Sequence, residues 1–154
     1  MQRNFQGYST NKECDLFSFG VSAISSICSS ILQNHKDIKN YARSLDQSKL
    51  AICRGVILNN DDSIRKAVIN QLKCNFELPF EAIENQFNIK FKQYFEDELE
   101  ALAQLEKDGL LSITPTKITV KDAGRLLIRS ICMTFDAYLD KQVSANQNRY
   151  SRII

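Results

Sequence analysis

From Asp61 onward the apolar residues change period in a set order, and that order restricts the possible folds more than any other feature of the chain. Ile64, Val68 and Leu72 recur at helical spacing behind Asp61 and Asp62, either of which can cap a first helix. Pro79 stands where a second helix begins, followed by Phe80, Ile83 and Phe87 at intervals of three and four. Phe91, Phe95, Leu99, Leu102 and Leu105 mark one long third helix, stopped by Gly109. Leu110–Thr114 and Lys117–Val120 are β-prone runs around Pro115, which reads as a hairpin. A last helix is predicted from about Asp122 toward Leu139, with Ala123, Leu127, Ile131, Phe135 and Tyr138 on its stripe. Three helices, a hairpin and a closing helix is the order of a winged-helix domain. The polar tail after Lys141 runs to Tyr150-Ser151-Arg152-Ile153-Ile154 and is expected to be loose.

The first sixty residues read differently. Asp15–Val21 is predicted as a buried strand ending at Gly20, and Ser22–Ser26 as a loop of small and hydroxylic residues. Asn34 is the expected cap of a helix over His35–Leu45, with Ile38, Tyr41, Ala42 and Leu45 on one stripe. Leu50–Leu58 fits a second strand, and Asn59–Ser63 is a polar break. Two strands and one helix cannot close a core, so residues 1–60 read as a piece of a larger sheet, and residues 61–154 as a helical domain with a polar tail. The fold class is mainly α with minor β.

Composition excludes much. The 154 residues are 44% hydrophobic and 25% charged, with five Gly and two Pro, which is an ordinary packed chain and not a disordered or collagenous one. No run of apolar residues is long enough to span a membrane, and Met1–Phe5 is too polar for a signal peptide. A cytoplasmic location with reduced thiols is therefore expected. The closest two cysteines, Cys14 and Cys28, are fourteen residues apart, so no CxxC or zinc spacing exists; Cys53, Cys74 and Cys132 add none. One histidine, His35, builds neither a metal site nor a Ser-His-Asp triad.

Charge is uneven along the chain: +3 over residues 1–60, −5 over 61–110 and +4 over 111–154. A winged helix invites a DNA-binding reading, in which the third helix meets phosphate. From Lys90 to Asp108 three lysines face six acidic residues, a net of −3, so repulsion disfavours nucleic acid. The carboxylates of that helix read as a solvated face rather than an acid–base pair. Arg65, Lys66, Lys73, Arg125 and Arg129 could bind a polycarboxylate, but pairing with nearby acids is the simpler reading. Phe91, Tyr94 and Phe95 read as core rather than as a stacking platform, and His35 as a surface residue. Arg3-Asn4-Phe5-Gln6-Gly7-Tyr8 gathers a guanidinium, amides and two aromatics in six residues, a set able to bracket a planar ligand and its carboxylates.

Arg3-Asn4-Phe5-Gln6-Gly7-Tyr8-Ser9-Thr10, with Gly20-Val21-Ser22-Ala23-Ile24-Ser25, resembles the closing part of the oxygen-independent coproporphyrinogen III oxidases (coproporphyrinogen dehydrogenases), a radical S-adenosylmethionine family. The similarity continues through Asp61-Asp62-Ser63-Ile64-Arg65, Cys74-Asn75-Phe76 and Tyr94-Phe95 before Glu98-Leu99. It is clearest at Gly124-Arg125-Leu126-Leu127-Ile128-Arg129-Ser130-Ile131-Cys132-Met133 with Phe135-Asp136, and at Tyr150–Ile154. The rival readings are a non-catalytic winged-helix interaction module and a haem chaperone related to the radical enzymes; Phe5-Gln6 within the first motif disfavours the latter.

The resemblance implies an enzyme of haem biosynthesis that oxidatively decarboxylates two propionates of coproporphyrinogen III to give protoporphyrinogen IX. It implies a (β/α) barrel holding a [4Fe–4S] cluster on a CxxxCxxC motif together with S-adenosylmethionine, and a helical C-terminal domain. Residues 1–60 would be the last strand and helix segment of that barrel. Carried over residue by residue, Ile24 with Ala23 contacts S-adenosylmethionine, and Phe5 and Gln6 line the same cavity; Arg3 and Tyr8 match the motif without an assigned role. The sequence has no CxxxCxxC, so no cysteine is carried over as a cluster ligand, no catalytic residue is assigned, and this chain alone is expected to be inactive. The expected partner of the full-length enzyme is the porphyrinogen substrate, with no nucleic acid and no membrane, and the full-length protein is expected to be a monomer.

Overall fold

The computed structural model describes residues 2–4, 7–10 and 14–139, which divide into two compact units, Met1–Lys66 and Ala67–Ile154. In the first unit β1 (Gln2–Asn4) pairs antiparallel with β2 (Gly7–Ser9), with Arg3 and Tyr8 as register partners. A separate antiparallel sheet has the order β3-β4-β5, built from β3 (Ile24–Ile27), β4 (Ser30–Asn34) and β5 (Ile52–Ile57). Between β4 and β5 lies α1 (Ile38–Asp46).

Several local expectations are corrected here. Asp15–Val21 is not a strand; only Leu16 bridges to Ser26, through two backbone bonds of 2.8 and 2.9 Å. The serine-rich stretch read as a loop is β3, because β4 supplies its ladder in the register Ser25↔Leu32 and Ser26↔Ile31. Helix α1 starts later than expected. Its cap is Asp37, whose carboxylate accepts from the Asn40 amide at 2.8 Å, while the Asn34 side chain is used elsewhere. That amide holds the Asp37 carboxyl below its ordinary range, with the Asn40 side chain next in effect. The strands run antiparallel, whereas those of a (β/α) barrel run parallel, and no closed barrel forms among the described residues.

Helix α2 (Asn60–Asn75) crosses the boundary between the units. It begins with a reciprocal cap: Asn59 Oδ1 accepts from the Asp62 amide and Asp62 Oδ2 from the Asn59 amide, at 2.8 and 3.0 Å. Ile64, Val68 and Leu72 share its buried stripe as predicted. In the second unit β6 (Glu77–Pro79) precedes α3 (Phe80–Phe87), so Pro79 sits just before the first helical turn. The expected long third helix is broken into α4 (Phe91–Tyr94) and α5 (Glu96–Lys107), with Phe95 non-helical at φ −114° and ψ 36°. The hairpin is β7 (Leu111–Ile113) and β8 (Lys117–Val120), and β6 pairs with β8 on its other side, giving the order β6-β8-β7. The closing helix is also broken, into α6 (Asp122–Leu126) and α7 (Ile128–Met133), and ends before Leu139.

The second unit holds a packed core. Phe80 stacks on Phe91 at 4.4 Å, Phe91 lies 4.9 Å from Phe95, and Phe95 meets Phe135 edge-on at 5.4 Å. Phe91 and Phe95 are core, as expected; Tyr94 packs its ring edge-on to Phe95 but stays partly exposed. Gly124 is a close-approach position, since a Cβ there would strike the Leu110 carbonyl oxygen. Of the buried apolar side chains among the described residues, only Ala51 and Ile64 belong to the first unit. Among the described residues no helix is long and apolar enough to cross a membrane.

Candidate functional site

Gly20 and Ser22 both have positive φ, +104° and +59°, which folds the chain back on itself ahead of β3. Four residues from outside the turn hold it. Tyr41, on the first turn of α1, accepts from the Gly20 amide through its hydroxyl at 3.1 Å. Asn34 Nδ2 donates to the Gly20 carbonyl at 2.9 Å, and the Asn34 amide donates to the Ala23 carbonyl at 2.9 Å. The Ser22 amide donates to the His35 carbonyl at 2.8 Å, and Gln33 Nε2 donates to the Ser22 carbonyl at 3.3 Å. A turn with its carbonyls occupied in this way is rigid backbone, not an adaptable loop.

Ala23 and Ile24 are carried directly by this turn. Both are partly exposed, and Ile24 opens β3 opposite Gln33. Directly paired residues of an antiparallel sheet project to one face, so Ile24 shares its face with Gln33 and, through the next pairing, with Arg54. Arg54 Nε donates to Gln33 Oε1 at 2.8 Å. Gln33 and Arg54 were not singled out from the sequence, and Asn34 and Tyr41 entered it only as a helix cap and a helix-stripe residue. Only strand register, which joins positions far apart in the chain, reveals Gln33 and Arg54. Phe5 and Gln6 lie outside the described residues.

Two of the five basic residues considered in the sequence, Arg65 and Arg125, pair with acids. Arg65 Nε bonds Asp61 at 2.8 Å; Arg125 lies 3.5 Å from Asp122 and its guanidinium sits over the Phe76 ring at 5.0 Å. Lys66 Nζ reaches Ser26 Oγ at 3.4 Å. Among the described residues no three His, Cys, Asp or Glu side chains gather where a metal ion could sit. Cys132 is buried, which pushes its thiol up to about 11 and leaves it inert as a ligand or nucleophile. The side chains of the described residues do not fit an iron–sulfur cluster. The Gly20–Ile24 turn presents a branched apolar side chain, Ile24, in register with the Gln33 amide.

Residues 58–127 match the family described as the HemN C-terminal domain. Over all 154 residues the chain is 50% identical to the oxygen-independent coproporphyrinogen III oxidase of Pseudomonas aeruginosa and 46% identical to that of Escherichia coli, covering 33% of each. The fold matches a solved structure described as the coproporphyrinogen III oxidase of Escherichia coli, a radical SAM enzyme. The TM-score is 0.86 at 48% identity, over 90% of this chain and 32% of that one. The chain thus spans about a third of the length of the curated relatives it matches, in their C-terminal portion.

Proposed function

We propose, on the premise that this chain is homologous over its length to the C-terminal portion of the oxygen-independent coproporphyrinogen III oxidases, that it supplies one wall of a radical S-adenosylmethionine site. The activity of the whole protein would be oxidative decarboxylation of two propionates of coproporphyrinogen III, yielding protoporphyrinogen IX in haem biosynthesis. The observation that carries this reading is the Gly20–Ile24 turn, fixed by Tyr41, Asn34, His35 and Gln33 so that Ala23 and Ile24 are presented at one end of a sheet. S-adenosylmethionine and a [4Fe–4S] cluster, when bound, supply the hydrogen-abstracting chemistry; the cluster ligands belong to a part of the protein outside these 154 residues. What this chain contributes is shape: Ile24 excludes water from an apolar ligand face, and Ala23 leaves room for close backbone approach. By the resemblance alone, Phe5 and Gln6 would line the same cavity.

Residues 1–60 are read as completing the barrel-bearing part of the protein and residues 61–154 as a winged-helix-like domain. The latter is supported by the order α2, β6, α3, α4 with α5, β7, β8, and by the sheet order β6-β8-β7. Glu96, Asp97 and Glu100 on the exposed side of α5 argue against nucleic acid as a partner. The whole protein acts on a porphyrinogen, works in the cytoplasm and is a monomer.

The test joins this chain to the N-terminal two thirds of the Pseudomonas aeruginosa relative. The joined protein should convert coproporphyrinogen III anaerobically, and this chain alone should neither assemble a cluster nor cleave S-adenosylmethionine. Ile24→Asp, Phe5→Ala and Gln6→Ala should each lower turnover about tenfold or more, the loss of one apolar or hydrogen-bonding contact, with iron content unchanged. Full activity in all three would refute the site.

A further inference from the structure

We propose that Arg54 is a carboxylate-binding residue of the site walled by Ala23 and Ile24, an inference that rests on the reading above. Ile24 pairs with Gln33 across β3 and β4, and Gln33 pairs with Arg54 across β4 and β5. The three side chains therefore form one row on one face, about 10 Å from end to end at two strand spacings. Within that row Gln33 is a fixed spacer. Its Nε2 is committed to the Ser22 carbonyl and its Oε1 to Arg54 Nε, which orients both the amide and the guanidinium.

With Nε engaged, Arg54 keeps the N–H groups of its two terminal nitrogens, which have no acceptor among the described residues, and it makes no ion pair there. Two parallel donors on a planar, permanently charged group match the two oxygens of a carboxylate. The backbone around Arg54 is specialised as well. The β4–β5 register slips between Gln33 and Asn34, leaving Cys53 as a bulged residue whose thiol donates to the Asn34 carbonyl at 3.4 Å. Bulges of this kind re-aim an adjacent side chain. On the other side of Arg54, Gly55 has no room for a Cβ, which would meet Leu32 Cδ2 at 2.6 Å and the Ile31 carbonyl oxygen at 3.1 Å. The Leu32 side chain thus lies over Gly55, directly beside Arg54.

The ligand chemistry is a carboxylate borne by a molecule whose apolar portion rests on Ile24. Both a propionate of the porphyrinogen and the amino-acid end of S-adenosylmethionine carry one. Binding to the joined full-length protein distinguishes them. The probes are coproporphyrin III, its tetramethyl ester, S-adenosylmethionine and its decarboxylated analogue. Arg54→Gln should weaken one of the two carboxylate ligands at least tenfold, as expected for a lost charge-assisted hydrogen bond, and leave the matching carboxylate-free probe unchanged. Loss confined to coproporphyrin III identifies a propionate; loss confined to S-adenosylmethionine identifies its carboxylate. Arg54→Lys, which keeps charge but not the fork, should fall between wild type and Arg54→Gln. Arg43→Gln, a charge removal on exposed α1, should match wild type. Unchanged binding of both carboxylate ligands by Arg54→Gln overturns the assignment and leaves the site reading standing. If the unsubstituted protein binds neither ligand, the site reading fails and Arg54 with it.

Discussion

Phe95→Ala should strongly destabilise the second unit while leaving the first nearly untouched. Phe95 is fully buried, in the break between α4 and α5, with ring centroids 4.9 Å from Phe91, 4.9 Å from Tyr94 and 5.4 Å from Phe135. A phenylalanine of this kind removes about 150–200 Å² from water, worth about 4–5 kcal/mol at 25 cal/mol/Å². Alanine recovers a small part of that, and the ring contacts and the residual cavity restore the cost to about 4 kcal/mol. A unit of this size holds about 4–11 kcal/mol in all, so the change removes a third or more of its stability.

Amide hydrogen exchange reads both units in one sample. The Val120 amide, bonded to the Phe76 carbonyl at 2.8 Å, and the Phe80 amide, bonded to Thr116 at 2.9 Å, report the second unit. Each should lose about three decades of protection, since about 1.4 kcal/mol is tenfold. The His35 amide, bonded to Ala51, and the Leu58 amide, bonded to Ser29, report the first. They should change by less than about threefold, a difference under 1 kcal/mol. Equal loss at His35 and Leu58 would refute the reasoning, because it would mean one cooperative core where the buried side chains describe a core in the second unit only. A cost below about 1 kcal/mol at Val120 would refute the burial estimate itself.

Gly124→Ala should lower the urea-unfolding free energy by about 3 kcal/mol, because the new methyl must displace the Leu110 carbonyl, which is backbone; a loss under about 0.5 kcal/mol would show that α6 shifts freely. Asp37→Ala should fray α1 at neutral pH, read from exchange of the Tyr41 amide that bonds the Asp37 carbonyl. The Asp37 carboxyl is held below its ordinary value in the fold, so its contribution is complete above about pH 4 and disappears as pH falls through the lowered value. Wild type and variant should therefore converge in acid, and a difference that persists there would assign the effect to something other than the charge. Thiol reagents should label Cys14, Cys28 and Cys53 quickly and Cys132 only on unfolding; fast labelling of Cys132 in the native protein would contradict its burial.

The second unit was legible because each of its periodic apolar residues does the one thing periodicity reports. Ile64, Val68 and Leu72 are spaced by four and all fully buried, and Pro115 punctuates a real hairpin between β7 and β8. The break at Phe95 was invisible for the same reason. Phe91, Phe95 and Leu99 keep helical spacing across it, and the Phe95 ring still points inward, so nothing in the pattern marks the residue whose φ departs. Strand β6 was hidden too, since three residues ending in Pro79 become a strand only because Lys117–Thr119 pair with them. In the first unit the β3–β4 turn passes through Cys28 at φ +50°, where Gly or Asn would have given a signal, and the serines of β3 resembled a loop.

The candidate site was legible only as far as local sequence carries it. Gly20 and the small residues after it point to a turn, hence to Ala23 and Ile24, but Gln33 and Arg54 join that turn through register alone. This first unit is also the one without its own interior. Phe19 is 90% exposed, Leu50 80% and Ile57 77%, and Ser18 Oγ is buried with no partner among the described residues beside the outer edge of β3. A unit that exposes large apolar side chains, Ile57 on β5 and Phe19 and Leu50 outside the strands, is unfinished in isolation. Position of a ligand-facing side chain is only as good as the packing that holds its strand, so on the proposed reading Ile24 and Arg54 would reach working geometry when that exposed surface is covered. The curated relatives are about three times as long as this chain, and the solved one shares its fold over this third. If the proposed site is completed by further polypeptide of that kind, ligand affinity and assembly would be one coupled equilibrium, in which binding would stabilise the assembled form by its own free energy and would be weakened to the extent that this surface stays bare.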